Sequence, residues 1–329
     1  MDIHLFEQLY QAGFIKSDVL EKIKEQENKR LVPIGKELKT ILSLGILLFS
    51  SGLGILVYKN IDTIGHAVII SLIGILMMVC LISCYKKSAP FSLLRVPSPN
   101  MWFDYILVLG SLLMLTFVGY IQYQYHLFGT SWNLAAFVPV LFLFGFAYYF
   151  DNVVVLGMAI TNFGAWVGIS VSPTNLLSAN DFSNDNVIYS GIALGVLFQL
   201  LSYYSLVRDI KAHFAYTYKN FGIHLLFISL LAGMFHFDGF YFVFFLVLAI
   251  VFFFQYFQSI RERSYYFLLF TLIYGYIGLS TVIVRLFASG DLWGILIYYF
   301  IFSGIGLLYW LRKLQHLFTT KTTKHDSVQ

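Results

Sequence analysis

Ten stretches of apolar residues follow one another along the chain, and polar residues gather in the gaps between them. They cover Ile41–Tyr58, Ile64–Cys84, Trp102–Tyr125, Trp132–Phe150, Asn152–Ser170, Val187–Leu206, Tyr216–Phe235, Gly239–Phe257, Tyr265–Leu286 and Leu292–Leu311. Each comes close to the roughly 20 residues that a helix needs to cross about 30 Å of hydrocarbon. In lipid every backbone N–H and C=O must be satisfied within the protein, and a helix does this within one segment. The pattern therefore predicts an all-α, polytopic membrane helix bundle with about ten transmembrane helices. Little more than Asp151–Asn152 parts the fourth stretch from the fifth, which predicts a tight helical hairpin. Lys219 and Asn220 interrupt the start of the seventh. Pro139 lies inside the fourth and predicts a kink whose freed carbonyl is satisfied by neighbouring helices.

The cations add an orientation. Alternate gaps, taken from the N-terminal segment onward and with Lys219 counted to the gap it adjoins, hold nineteen of the 21 Lys and Arg residues; Lys59 and Arg285 are the two exceptions. Cytoplasmic connections carry the excess of Lys and Arg in membrane proteins. The expected topology thus has both termini in the cytoplasm, as an even number of spans requires. Trp102, Trp132, Trp293 and Trp310 sit at stretch ends, where indole rings favour the headgroup level. Composition agrees: 59% of the 329 residues are hydrophobic and 12% charged, about half the charged share of a soluble domain, roughly 25%.

Residues 1–38 form a different kind of segment. Ile3, Phe6, Leu9 and Tyr10 share one helical face, Gly13 breaks the run, and Ser17 can cap a second helix with Val19, Leu20 and Ile23 on its apolar stripe. Acids balance bases there, which argues against a polybasic lipid anchor and against nucleic-acid binding. The expected domains are a cytoplasmic helical hairpin module over 1–38, the transmembrane bundle over 39–312 and a flexible cytoplasmic tail over 313–329. No short apolar core followed by small residues marks a cleavable leader in the first forty residues, so the first span is expected to remain. Cys80 and Cys84 stand four apart in one stretch, poorly placed for a disulfide, and read as packing residues. No internal repeat is evident.

The first span reads ILSLGILLFSSGLGILVYKNIDTI, with Gly45, Gly52 and Gly54 spaced along it and an Asn60-Ile61-Asp62 turn after it. This resembles the family of bacterial membrane proteins known as domain of unknown function 2157. The N-terminal module, with its Gly13-Phe14-Ile15 break before an acidic–basic helix, is similar to that family's as well. The family usually has an aromatic residue where Ile61 stands. The resemblance covers roughly the first 85 residues. It implies a multi-pass protein of the bacterial inner membrane and brings no reaction, cofactor or substrate.

Few residues are placed to carry chemistry. No Lys, Arg, Asp or Glu lies in the central third of any stretch, which weakens the case for a proton-coupled pump. Asn162 and Gln199 are the mid-membrane polar candidates, either as interhelical hydrogen-bond partners or as lining for a solute path. With the orientation above, Asp62, His66, His126, Asn133, His236, Asp238, Arg285 and Asp291 gather toward the outer face. Arg285 reads as the partner of Asp291, Asp238 or Asp62, or as a bidentate grip on an anionic group. His236 and Asp238 could then exchange protons with a substrate. Asp62 and His66 are too few to hold a metal. The outer loop near residues 171–186 is rich in Asn and Asp without the spacing of a calcium loop. No phosphate-binding glycine loop, zinc-protease helix or nucleophile elbow occurs.

The expected function is therefore non-enzymatic: transport-like binding of a small solute or lipid, or an envelope scaffold. The alternative is a membrane-embedded enzyme acting on a lipid or envelope substrate at the outer face. No cofactor or metal is expected. Expected partners are membrane lipids and a protein docked on the N-terminal module.

Overall fold

The computed structural model of the chain describes residues 15, 19, 34–59, 65–171, 185–287 and 293–325. Among them are ten α-helices and no strand: α1 (Ile34–Lys59), α2 (His66–Lys87), α3 (Met101–Tyr125), α4 (Trp132–Phe150), α5 (Val153–Val171), α6 (Asp185–Val207), α7 (Ala215–His236), α8 (Tyr241–Arg261), α9 (Tyr265–Phe287) and α10 (Trp293–His325). A short 3-10 turn, Ala212–Phe214, leads into α7. Each helix falls on one of the ten apolar stretches. Eight of them, α2 to α9, are long and apolar enough to cross a membrane, and α1 carries a shorter apolar run, Thr40–Leu56. The all-helical, polytopic reading of the sequence holds. Lys219 and Asn220 do not delay α7, because both lie within its first turns and Lys219 is buried beside a partner acid. The backbone of α10 stays helical to His325, past the expected end at Leu311.

The chain divides into two compact units, residues 1–72 and 73–329. The first holds α1 and the opening turns of α2. Gly65 begins α2 with a left-handed φ of 82°, a backbone state glycine adopts without steric cost. Within this unit a Cβ on Gly45, Gly52 or Gly54 would meet nothing within 4 Å, so among the described residues no neighbour packs closely on these glycines there. Residues 1–33, apart from Ile15 and Val19, lie outside the described residues, and with them most of the N-terminal module.

The second unit is built around α7, which packs against α5, α6, α8 and α9. It is the most enclosed of the eight long apolar helices, with 61% of an 18-residue apolar stretch buried against 17% in α8. The α6–α7 seam depends on absent side chains. A Cβ on Gly195 would stand 2.8 Å from the backbone nitrogen of Leu226, and one on Gly222 would stand 3.1 Å from the Gly195 carbonyl. Small residues of this kind let two backbones approach closely where lipid supplies no hydrophobic drive. Cys80 and Cys84 are buried and free, the latter with its Sγ 3.9 Å from the Phe103 carbonyl of α3. Large apolar side chains such as Ile250 and Phe302, each 70% exposed, cover the outside of the bundle. In water such a surface would drive aggregation; in a bilayer it is the lipid-facing surface.

Candidate functional site

Two polar ends and one apolar groove stand out in the second unit. The end that carries Lys86, Lys87, Arg95, Arg208, Arg261, Arg263, Arg312 and Lys313, all exposed, is the basic end. Here three connections meet on one carboxylate. Asp151 occupies the two-residue turn between α4 and α5 with φ 58°, a left-handed state that Asp tolerates better than most residues. Its Oδ1 lies 3.1 Å from Lys211 Nζ and 2.8 Å from His213 Nε2. Its Oδ2 accepts from the Val96 backbone N–H. The Asp151 and Lys211 side chains are each 1% exposed. Lys211 N–H donates to the Leu93 carbonyl at 2.8 Å. Its amine also stands 5.7 Å from the Phe91 ring centroid. Next door, Asn152 caps α5 by accepting from Val154 and Val155 N–H, and its amide donates to Asp104 Oδ1 at 2.9 Å. The connections before α3, between α4 and α5, and before α7 are thereby fastened together.

Sequence reasoning passed over this cluster because it used the cations of alternate gaps only to orient the spans. A usable signal existed. Asp151 is the only charge in its gap, and gaps two, four and six must open on the same side of a bundle of single-pass helices. A lone acid so close to hydrocarbon needs a cation from one of the other two.

A second pair joins buried Lys219 of α7 to the more exposed Glu262 just after α8, with Gln258 donating to the other Glu262 oxygen at 2.8 Å. Lys219 Nζ also lies 4.8 Å from the centroid of Phe267. Deeper in α7, His224 makes hydrogen bonds with two tyrosines of α9, 2.8 Å to Tyr274 and 3.3 Å to Tyr266. This histidine also escaped notice, because the search for charges inside spans was confined to Lys, Arg, Asp and Glu.

Among the described residues of the second unit, those singled out from the sequence make separate contacts rather than one cluster. At the opposite end, Arg285 Nη1 donates to Asp238 Oδ1 at 2.8 Å, and its Nη2 donates to the Met234 carbonyl at 2.9 Å and the Phe235 carbonyl at 3.4 Å. The guanidinium also lies over the Tyr241 ring, 4.8 Å from its centroid. Arg285 thus caps the C-terminus of α7, where unsatisfied carbonyls and the helix dipole favour a cation. His236 turns to Asp185 instead, at 2.6 Å. His126 is exposed and ends α3 in a left-handed conformation. The turn after it is held by buried Gln122, which donates to Gly129 O and accepts from Phe128 N–H. His66 opens α2, and the exposed Asn133 accepts from the Leu134 N–H. Asp62 and Asp291, like residues 172–184 of the long loop, lie outside the described residues. Both mid-membrane amides make interhelical bonds. Asn162 donates to the Ala136 carbonyl of α4 at 3.0 Å, beside the carbonyl of Ala135 that Pro139 leaves without its helical donor. Gln199 reaches the Lys219 carbonyl at 3.5 Å. Among the described residues no three His, Cys, Asp or Glu side chains gather as metal ligands would.

The groove lies between α8, α9 and α10 at mid-length. It encloses about 360 Å³, within the roughly 300–1,000 Å³ of small-molecule sites. Phe245, Leu248, Phe252, Leu272, Leu307 and Trp310 form most of its wall. Its two lining hydroxyls, Tyr276 and Ser303, bond each other at 3.0 Å. Gly306 contributes empty space, since a Cβ there would meet nothing within 4 Å. Phe253, Leu279 and Trp310 at the rim are exposed, so the groove opens toward lipid.

Spanning helices, lipid-facing apolar sides and, among the described residues, charges kept out of the middle of the apolar stretches define a polytopic integral membrane protein. Residues 7–156 match the sequence model of the family described as predicted membrane protein (DUF2157), the family that the first span and N-terminal module resemble. The match runs through α4 and the Asp151 turn, beyond the segment in which the resemblance is legible by eye. It stops short of Lys211, His213 and the groove. No curated protein and no solved structure matches the chain.

Proposed function

We propose that this protein binds membrane lipid in the groove between α8, α9 and α10, in a non-enzymatic, transport-like or scaffolding role in the bacterial inner membrane. The observation that carries this reading is an open cavity of about 360 Å³ at mid-helix whose lining is apolar apart from two hydroxyls spent on each other. A path for a hydrated solute needs polar groups left free for it, and Asn162 and Gln199 are both engaged between helices. An acyl chain needs none. An enzymatic role at the opposite end finds less support, because Arg285 is committed to α7 carbonyls and Asp238, and His236 to Asp185. In this reading the basic end faces the cytoplasm, both termini lie there, and residues 1–38 are a docking module for a protein partner.

The groove is tested through Trp310, which lines it. The full chain, purified in neutral detergent, is titrated with phospholipid brominated on its acyl chains, and tryptophan quenching is followed. Subtracting the signal of Trp310→Phe isolates this residue from the other four tryptophans. Gly306→Leu fills the groove from a position with free space, and leucine suits a helix better than glycine by up to about 1 kcal/mol. The expected result is saturable quenching of Trp310 in the natural chain and its loss in Gly306→Leu. Equal quenching in both overturns the reading.

A further inference from the structure

We infer that the occupant of this groove is an anionic phospholipid, with an acyl chain between the helices and its headgroup on Arg261, Arg263, Arg312 and Lys313. The inference rests on the groove reading above and adds the charge and direction of the ligand.

The groove has two ends of unequal character. Trp310 forms its wall toward the basic end, and Arg312 follows two residues later on α10, roughly 3 Å further along a helix axis. Tyr265, at the start of α9, bonds the Leu311 carbonyl at 3.5 Å. This contact sets the first turn of α9 level with Arg312 and Lys313, and Arg263 stands two residues before Tyr265. On α8, Tyr256 lies against Trp310 with ring centroids 6.4 Å apart. Arg261 is five residues beyond it, roughly 7.5 Å at helical rise. Cations from the end of α8, the approach to α9 and the body of α10 thus border one mouth.

All four are exposed, and among the described residues none makes an ion pair. The acid nearest in sequence, Glu262, is taken by Lys219 and Gln258. The mouth therefore keeps its positive charge. Toward the other end the groove is walled by Phe245 and Leu279. The cation there, Arg285, is spent on Asp238 and on α7 carbonyls. An amphiphile in this groove has one electrostatically favoured direction, negative head at the basic mouth and tail toward mid-helix.

A general excess of cations on one membrane face would attract anionic lipid without any groove. Lys86 and Lys87, exposed at the end of α2, carry the same charge at that face and line no part of the groove, so they are the control. The experiment compares Trp310 quenching by phosphatidylglycerol and by phosphatidylcholine with identical brominated chains, at low and high salt. Each surface cation contributes on the order of 1 kcal/mol toward an anionic lipid, so removing two lowers the preference about 25-fold. Arg312→Gln/Lys313→Gln is expected to lose the phosphatidylglycerol preference by that factor while still binding phosphatidylcholine. Lys86→Gln/Lys87→Gln is expected to retain it. An unchanged preference in the first variant, or equal losses in both, overturns the headgroup assignment and leaves the groove standing. Quenching by both lipids that survives Gly306→Leu overturns the groove itself. Monodisperse elution of each variant shows that it has folded.

Discussion

Replacing Asp151 by asparagine removes one charge from the centre of the basic-end cluster while keeping almost everything else. Asparagine tolerates the left-handed backbone that Asp151 adopts and can still accept from the Val96 N–H. What it cannot do is neutralise Lys211, whose amine lies 3.1 Å from the carboxylate with its side chain 1% exposed. Breaking a buried pair by removing one partner costs about 3–5 kcal/mol, because the remaining charge is stranded. The Phe91 ring, 5.7 Å from the amine, returns at most about 1 kcal/mol through its π face. The expected loss is about 3 kcal/mol. For domains of 150–250 residues this corresponds to roughly 6–12 °C of melting temperature. The assay is thermal unfolding of purified full chain in one detergent, following intrinsic fluorescence and the loss of monodisperse protein together. The double variant Asp151→Asn/Lys211→Met removes the stranded charge and should melt above the single variant, a non-additivity expected of groups in direct contact. A single variant that melts with the natural chain would mean that Lys211 escapes along its flexible stem to the headgroups. A double variant that melts at the sum of the two single losses would mean that the contact carries no energy. Either result refutes the reasoning.

Two other outcomes are expected. Arg285→Ala should lower the melting temperature more than Arg312→Ala, because Arg285 is 26% exposed and binds Asp238 and two α7 carbonyls, whereas Arg312 is exposed and unpaired among the described residues; equal melting in detergent would contradict its capping role. A reporter fused after Gln329 should read cytoplasmic, and an external signal would reject the orientation taken from the cations.

The helices were legible because their cause is local. An unbroken run of apolar residues, ended by Lys86 and Lys87 or by the Asp151–Asn152 pair, says where a helix enters and leaves lipid without reference to any other part of the chain. Trp132–Phe150 matches its helix residue for residue. The site was less legible because it depends on which helices become neighbours. Arg285 was seen as a cation needing a partner, but its preference for the α7 carbonyls follows from α7 and α9 standing side by side. The groove left no mark at all in the pattern. Gly275 and Gly306 resemble many other glycines until α8 and α10 are placed on either side of α9. Likewise the glycine seam lies on α6 and α7, around Gly195 and Gly222, and the more conspicuous glycines of the first span take no part within their own unit.

The two-residue link between α4 and α5 has a consequence for how the chain is made. With only Asp151 and Asn152 between them, the two helices form one tight hairpin, so the direction of either in the bilayer fixes that of the other. The gaps on either side of that hairpin, like the link itself, contain no Lys or Arg. The hairpin thus has no cation of its own to hold its direction, and inherits it from Arg95 upstream and Arg208 downstream. Asp151 is synthesised well before Lys211 and His213. Its carboxylate can therefore pair with them only after α6 is complete and the α6–α7 connection has returned to the same end, so the contact ties the α4–α5 hairpin to helices made later.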